Sequence, residues 1–144
     1  MLILLQPEQA LRNWSVISEP LRIGLLSHYE KTDGIMANIA ELILSEAMQC
    51  WSLEHENKTV AIGLTMMARE DLTRRKSLII EALVRTSDEP IADSLWMEAL
   101  SALAKYGRGQ GCTEITLYTD VERLKELVLL AGGSIATVYG RIPI

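Results

Sequence analysis

Leu103 to Gly133 read LAKYGRGQGCTEITLYTDVERLKELVLLAGG, and along this stretch the hydrophobic period changes from helix to strand and back. The helix begins upstream: Ala92, Leu95, Ala99 and Leu103 form one stripe, with Trp96 and Leu100 beside it, which predicts a helix over Ile91 to Tyr106 that stops at Gly107. Gly107, Gly109 and Gly111 make a loop. Thr113 to Thr119 then reads as a short strand with Ile115, Leu117 and Thr119 facing together. Asp120 to Ala131 returns to helical spacing through Val121, Leu124, Val128 and Ala131, ends at Gly132-Gly133, and leads to a last strand over Ile135 to Ile142.

Working outward, Ser77 to Arg85 (SLIIEALVR) precedes the first of these helices and carries apolar residues on both faces, as a central strand does. Strand, helix, strand in this order is a βαβ unit, with parallel strands and a right-handed crossover. Before it, Met48 to His55 alternates with period two, Glu56-Asn57-Lys58 has turn composition, and Val60 to Ala68 is a second strand, so an antiparallel hairpin is expected. Gly63 marks a candidate bulge in it, and Arg69 to Lys76 is a charged loop. Ile35, Ile39, Leu42, Ile43 and Ala47 share one face of an amphipathic helix, entered through Thr32-Asp33-Gly34. Pro20 is expected to open a helical stretch through Tyr29, and Pro7 another to Asn13 or Trp14, after a short strand over Leu2 to Leu5. The fold class is α/β, in a single domain over residues 1–144.

The composition suits one hydrophobic core: 49% of the 144 residues are hydrophobic and 23% charged, with seven Trp and Tyr together and no Phe. Fourteen basic against nineteen acidic residues leave a net charge of −5, with only Arg74-Arg75-Lys76 clustered, which excludes a nucleic-acid footprint. Cys50 and Cys112 have neither a CxxC partner nor a nearby histidine, so they are read as free, half-buried thiols of a reducing compartment rather than metal ligands. The opening MLILLQPEQ lacks a basic segment and no apolar run approaches the ~20 residues that span a bilayer, so the expected location is cytoplasmic.

Hairpin, central strand, helix, parallel strand, helix closed by glycine, and final strand is the order of the GNAT superfamily of acyl-CoA-dependent N-acetyltransferases, which the chain resembles from Trp51 through Gly133. The Leu103 to Gly133 segment carries most of that likeness. The whole chain also resembles short GNAT-like proteins of tailed phages, which implies a host cytoplasmic or virion location. The resemblance implies acetyl-CoA as cofactor, with its pantetheine arm bonded to the main chain of Ala82, Leu83 and Val84 in a gap between splayed strands. Its pyrophosphate would lie at the start of the next helix, across Arg85, Thr86, Ser87 and Ala92, where helix N–H groups and the dipole favour anions.

Two positions depart from the family pattern. The segment Arg85 to Asp93 has no glycine, contains Pro90, and sets Asp88, Glu89 and Asp93 against a pyrophosphate with only Arg85 in opposition; Thr86 with Glu89 reads equally as a capping box. Four residues before Gly132, where active members often place a tyrosine as general acid, stands Val128. Tyr118 and Tyr139 are the substitutes, and each is alternatively a packed ring with its hydroxyl at the rim. Glu81, in the middle of a central strand, is a candidate base for an ammonium substrate, or else a cross-sheet partner of Arg69, Arg74 or Lys76. His28 and His55 read as surface histidines, and Trp51, Met66, Met67, Trp96 and Met97 as core.

Two functions follow. One is acyl transfer to a small-molecule or peptide amine, with Glu81 as base and Tyr118 or Tyr139 as acid. The other is a catalytically inactive GNAT-like binding or structural module, such as a phage virion or assembly part. A seventh strand found in many family members has no counterpart before Ile144, so an open sheet edge is expected to be covered by a second copy or a protein partner, unless Pro143 blunts it.

Overall fold

In a computed structural model, residues 1–25, 34–119, 121–135 and 142–144 are described. Among them, five strands and five helices follow in chain order: β1 (Leu2–Leu5), α1 (Pro7–Arg12), α2 (Trp14–Leu25), α3 (Ile35–Leu44), β2 (Met48–His55), β3 (Lys58–Arg69), β4 (Lys76–Arg85), α4 (Asp93–Gly109), β5 (Glu114–Leu117) and α5 (Glu122–Leu130). The strands lie side by side in sequence order, antiparallel from β1 to β4, with β5 parallel to β4. The α/β class, the hairpin and the parallel unit are thus as the sequence predicts.

The sheet is covered on both faces. Ile17 and Leu21 of α2 and Ile39 and Ile43 of α3 pack with Cys50, Ile62, Leu64, Ala82 and Val84 on one face. On the other, Trp96, Ala99 and Leu103 of α4 and Leu127 of α5 pack with Trp51, Leu53, Leu78 and Ile80. This explains why β2 is buried at six consecutive positions: a strand between two helical layers has no solvent face. Across the second face the Trp51 indole donates to Thr65 Oγ1 (2.9 Å), whose hydroxyl donates to Gln49 Oε1 (2.9 Å), satisfying polar groups where water is excluded.

Several local expectations are corrected. Pro20 lies inside α2 rather than opening a helix; burial of Ile17 and Leu21 on either side of it outweighs the lost hydrogen bond. The helix expected to stop at Gly107 continues to Gly109, with the buried Gly107 facing Leu78 and Cys112. The turn is made instead at Gly111, whose φ is +84°. Gly63 pairs regularly with Trp51 and Leu83; the bulges fall between Leu53 and Glu54 and between Leu64 and Thr65. Cys50 and Cys112 are fully rather than half buried. The helix α5 does end as expected: Gly132 at φ +83° donates to Leu129 O and Gly133 donates to Val128 O (2.9 Å), a Schellman closure. The last expected strand, with Tyr139, falls almost wholly outside the described residues, as do His28 and Tyr29.

Candidate functional site

The site originates in a single inserted residue. In the β3–β4 ladder Leu64 pairs with Ala82 and Thr65 with Ile80, so Glu81 is left over as the bulge residue of β4. The insertion shifts the alternation by one: Leu78 and Ile80 face α4, whereas Ala82 and Val84 face α2 and α3. The apolar run on both faces that marks the strand as central therefore conceals a change of phase.

The parallel pairing ends beside the same residue. Contacts between β4 and β5 run from Ser77 with Glu114 to Ile80 with Leu117 and stop, although β4 continues to Arg85. Past that point the two strands enclose a cleft of about 570 Å³, floored by β4 from Ile80 to Arg85 and walled by the end of α2, by Trp96 and Leu100 of α4, and by α5. Glu81 lines it from β4 and Tyr118 from the end of β5, where Tyr118 is 58% exposed. The carboxylate and phenol singled out from sequence are thus brought to one cavity, at the C-terminal ends of parallel strands where open sheets bind ligands.

Ala82, Leu83, Val84 and Arg85 also line this cleft, while Thr86, Ser87 and Ala92 do not. Thr86 is bound into the sheet: its N–H donates to Val60 O and its hydroxyl to Thr59 O (2.7 Å). It is not a helix cap, since α4 starts at Asp93 with Ala92 in the capping position, and the expected capping box is absent. The Ser87 hydroxyl accepts from the Glu89 N–H, and Arg85 Nη1 donates to the carbonyls of Asp88 (3.3 Å) and Glu89 (3.5 Å). The Arg85 cation is therefore spent in part on shaping its own loop. Beyond Ile80 the edge of β4 is not paired with β5 and opens onto the cleft, an edge of the kind to which an extended chain can bond; in the loop after it the Thr86 and Glu89 N–H groups are bonded within the chain and Pro90 has none, which does not match a pyrophosphate cradle.

Sequence reading missed Arg123. It lines the cleft from α5 and forms an ion pair with Asp93 in the first turn of α4, and a second with Glu126 (3.2 Å). In sequence it is one charge among several on an amphipathic helix, and only the packing of α5 beside α4 places it there. Gly24 is a second omission: it approaches Val84 so closely that any Cβ would overlap the valine side chain, which sets α2 directly on the cleft end of β4.

The remaining candidates are accounted for elsewhere. His55 is exposed and lies 3.8 Å from Glu56; Trp51 stacks edge-on against Tyr106 with ring centroids 5.0 Å apart; Lys76 donates to Gln110 O and Arg69 to Arg74 O. Among the described residues no helix is long and apolar enough to cross a membrane.

A bulged central strand, a parallel neighbour that parts from it and helices on both faces define the GNAT acetyltransferase fold, to which this structure corresponds. No protein-family profile matches the chain. No curated protein matches it either. Among solved structures it is similar to a ribosomal-protein-alanine N-acetyltransferase from Brucella melitensis biovar Abortus 2308, with TM-score 0.71, 12% identity, and coverage of 100% of this chain and 99% of that one. It is similar also to glucosamine-6-phosphate N-acetyltransferase from Arabidopsis thaliana (TM-score 0.69, 21% identity, 99% and 97% covered). A third, described as a predicted acetyltransferase from Clostridium acetobutylicum and solved with acetyl-CoA, has TM-score 0.73 at 9% identity, with 99% and 95% covered. At these identities the likeness is one of fold.

Proposed function

We propose that the protein is an acetyl-CoA-dependent N-acyltransferase acting on an amine. The observation that supports this best is the coincidence of three features at Glu81: the bulge, the end of the β4–β5 pairing and the opening of the cleft. Ala82 to Val84 hold the acyl carrier along the strand edge and orient its thioester. Glu81 takes a proton from the ammonium form of the acceptor, freeing the nitrogen lone pair. As the nitrogen bonds to the acyl carbon and the carbon–sulfur bond breaks, the nitrogen gives up its second proton to solvent, Tyr118 gives its proton to the departing thiolate, and solvent reprotonates the phenolate and takes the proton held by Glu81.

Calorimetric titration of acetyl-CoA, with desulfo-CoA as a control for the nucleotide contacts, tests the reading. Saturable micromolar binding is expected, followed by turnover in an amine screen that Glu81→Gln abolishes while leaving binding within about threefold. No heat up to millimolar ligand overturns it.

One group of observations favours a second reading, a catalytically inactive module that binds a protein partner, as in a phage particle. Asp88, Glu89 and Pro90 stand in a loop whose Arg85 is turned onto its own carbonyls, and Val128 accepts the Gly133 N–H at the place of the missing tyrosine. Absence of acetyl-CoA binding together with a stable assembly by light scattering is its expected signature.

A further inference from the structure

A second cavity, of about 380 Å³, lies between α4, β5 and the end of α5, on the face of the sheet that carries α4. It meets the cleft at three side chains that border both spaces: Leu100 of α4, Leu117 of β5 and Val128 of α5. Leu117 is the partner of Ile80, the residue before Glu81, so this boundary stands one strand spacing, about 4.8 Å, from the place where the bulge opens the cleft. Beyond it Met97, Ala104 and Ile115 line the cavity, and Ser101 contributes a hydroxyl along the α4 wall. The charged groups of the lining stand at the other end, Arg108 in the last turn of α4 and Glu114 at the first residue of β5, both exposed. Met97, Leu100, Ala104, Ile115, Leu117 and Val128 are each half-buried, so the fold neither seals these apolar groups in the core nor turns them out to solvent. An apolar space with a few polar groups at one end is the usual form of a small-molecule pocket.

We propose that the acyl donor is a medium-chain acyl-CoA whose alkyl tail lies in this second cavity. The assignment rests on the reading of the cleft as an acyl-CoA site and deepens it, because it names the group transferred. With the thioester carbon beside Glu81, the chain beyond it turns past Leu117 and meets Leu100 and Val128 at the entrance to the cavity. Each methylene buried there is favourable, and no charged group is desolvated on the way. Size sets the length: an apolar cavity of about 150 Å³ holds a benzene, so one of about 380 Å³ holds a tail of about six to eight carbons, and a longer one would reach Arg108 and Glu114. The tail also gives a reason for Val128 at the position where the family pattern has a tyrosine, since a short apolar side chain keeps the way between the two spaces open.

The test titrates acetyl-, butanoyl-, hexanoyl-, octanoyl- and dodecanoyl-CoA into the full chain by calorimetry. Affinity is expected to rise about twofold to fourfold per added methylene up to octanoyl-CoA and to stop rising by dodecanoyl-CoA. Ala104→Phe fills the second cavity from a position that does not border the cleft. It should bring octanoyl-CoA to within about threefold of acetyl-CoA and leave acetyl-CoA within about threefold of its native affinity. Ala131→Phe, at an exposed position on the wall formed by the end of α5, should do the same and serves if the first variant does not fold. Far-ultraviolet circular dichroism and the unfolding midpoint establish which variants are folded. Flat affinity from acetyl- to octanoyl-CoA, a rise that continues unchanged through dodecanoyl-CoA, or a rise that survives in a folded variant overturns the tail site and leaves the acyl-CoA reading standing. If the native protein binds none of the donors, both fall together.

Discussion

Thr65→Val removes one hydroxyl from the residue that pairs beside the Glu81 bulge, and its consequence follows from two hydrogen bonds. Thr65 Oγ1 accepts from the Trp51 indole and donates to Gln49 Oε1, each at 2.9 Å, with Thr65 itself 1% exposed. Valine keeps the shape, so little packing is lost. It leaves an indole N–H without its acceptor and an amide oxygen without its donor in a buried setting. Each orphaned group costs about 1–3 kcal/mol, and since Gln49 is 7% exposed and partly reachable by water, a total of about 2–4 kcal/mol is expected. With a urea slope of about 2 kcal/mol/M for a domain of this size, the unfolding midpoint should fall by about 1–2 M at unchanged slope. Thr65→Ser, which retains the hydroxyl, should lose less. The triple change Gln49→Leu, Trp51→Phe, Thr65→Val should recover part of the deficit, because no polar group is then left unpaired. A loss below about 0.5 kcal/mol for Thr65→Val alone would refute the reasoning, since it would mean that neither bond excludes a competing water.

Gly24→Ala should destabilise by about 1–3 kcal/mol through overlap with Val84, and adding Val84→Ala should reverse much of that loss in thermal unfolding. Gly107→Ala should do the opposite: a methyl there meets Cys112 and Leu78 at ordinary contact distances of 3.5–3.6 Å, and relief of a glycine inside α4 should raise stability by up to about 1 kcal/mol, read from the same melts. Burial pushes the Cys50 thiol from 9.0 up to about 12, so the native protein should not react with a thiol reagent at Cys50 near neutral pH, whereas the unfolded chain should. Because the folded state holds this proton more tightly than the unfolded state, stability should fall as pH rises from 9 toward 12, by up to about 1.4 kcal/mol per pH unit, and Cys50→Ala should flatten that slope in alkaline denaturation.

The order of elements from the hairpin to α5 was legible because the hydrophobic period is local: a residue's spacing to its own neighbours marks helix or strand wherever the chain then goes. The Glu81 and Tyr118 candidates were legible for a related reason, a carboxylate in an apolar run and a tyrosine at a strand end being visible without any partner. Helix boundaries were less so. Pro20 and Gly107 both read as interruptions, and both are carried through a helix by packing against residues far away in sequence: Ile17 and Leu21, which flank Pro20, pack with Ile62, Leu64, Ala82 and Val84 of the sheet, and Gly107 faces Leu78.

What the sequence by itself determined is the class of fold and the residue types available for chemistry, since both depend on short-range pattern. The tertiary structure alone decided that Glu81 is the residue left over between β3 and β4, that pairing with β5 stops beside it, and that Arg123 reaches Asp93 across two helices. Register and helix docking are relations between distant segments, and a one-residue slip in either moves every side chain to another face. A cleft made by such a slip belongs to no segment of the chain, so no local pattern announces it.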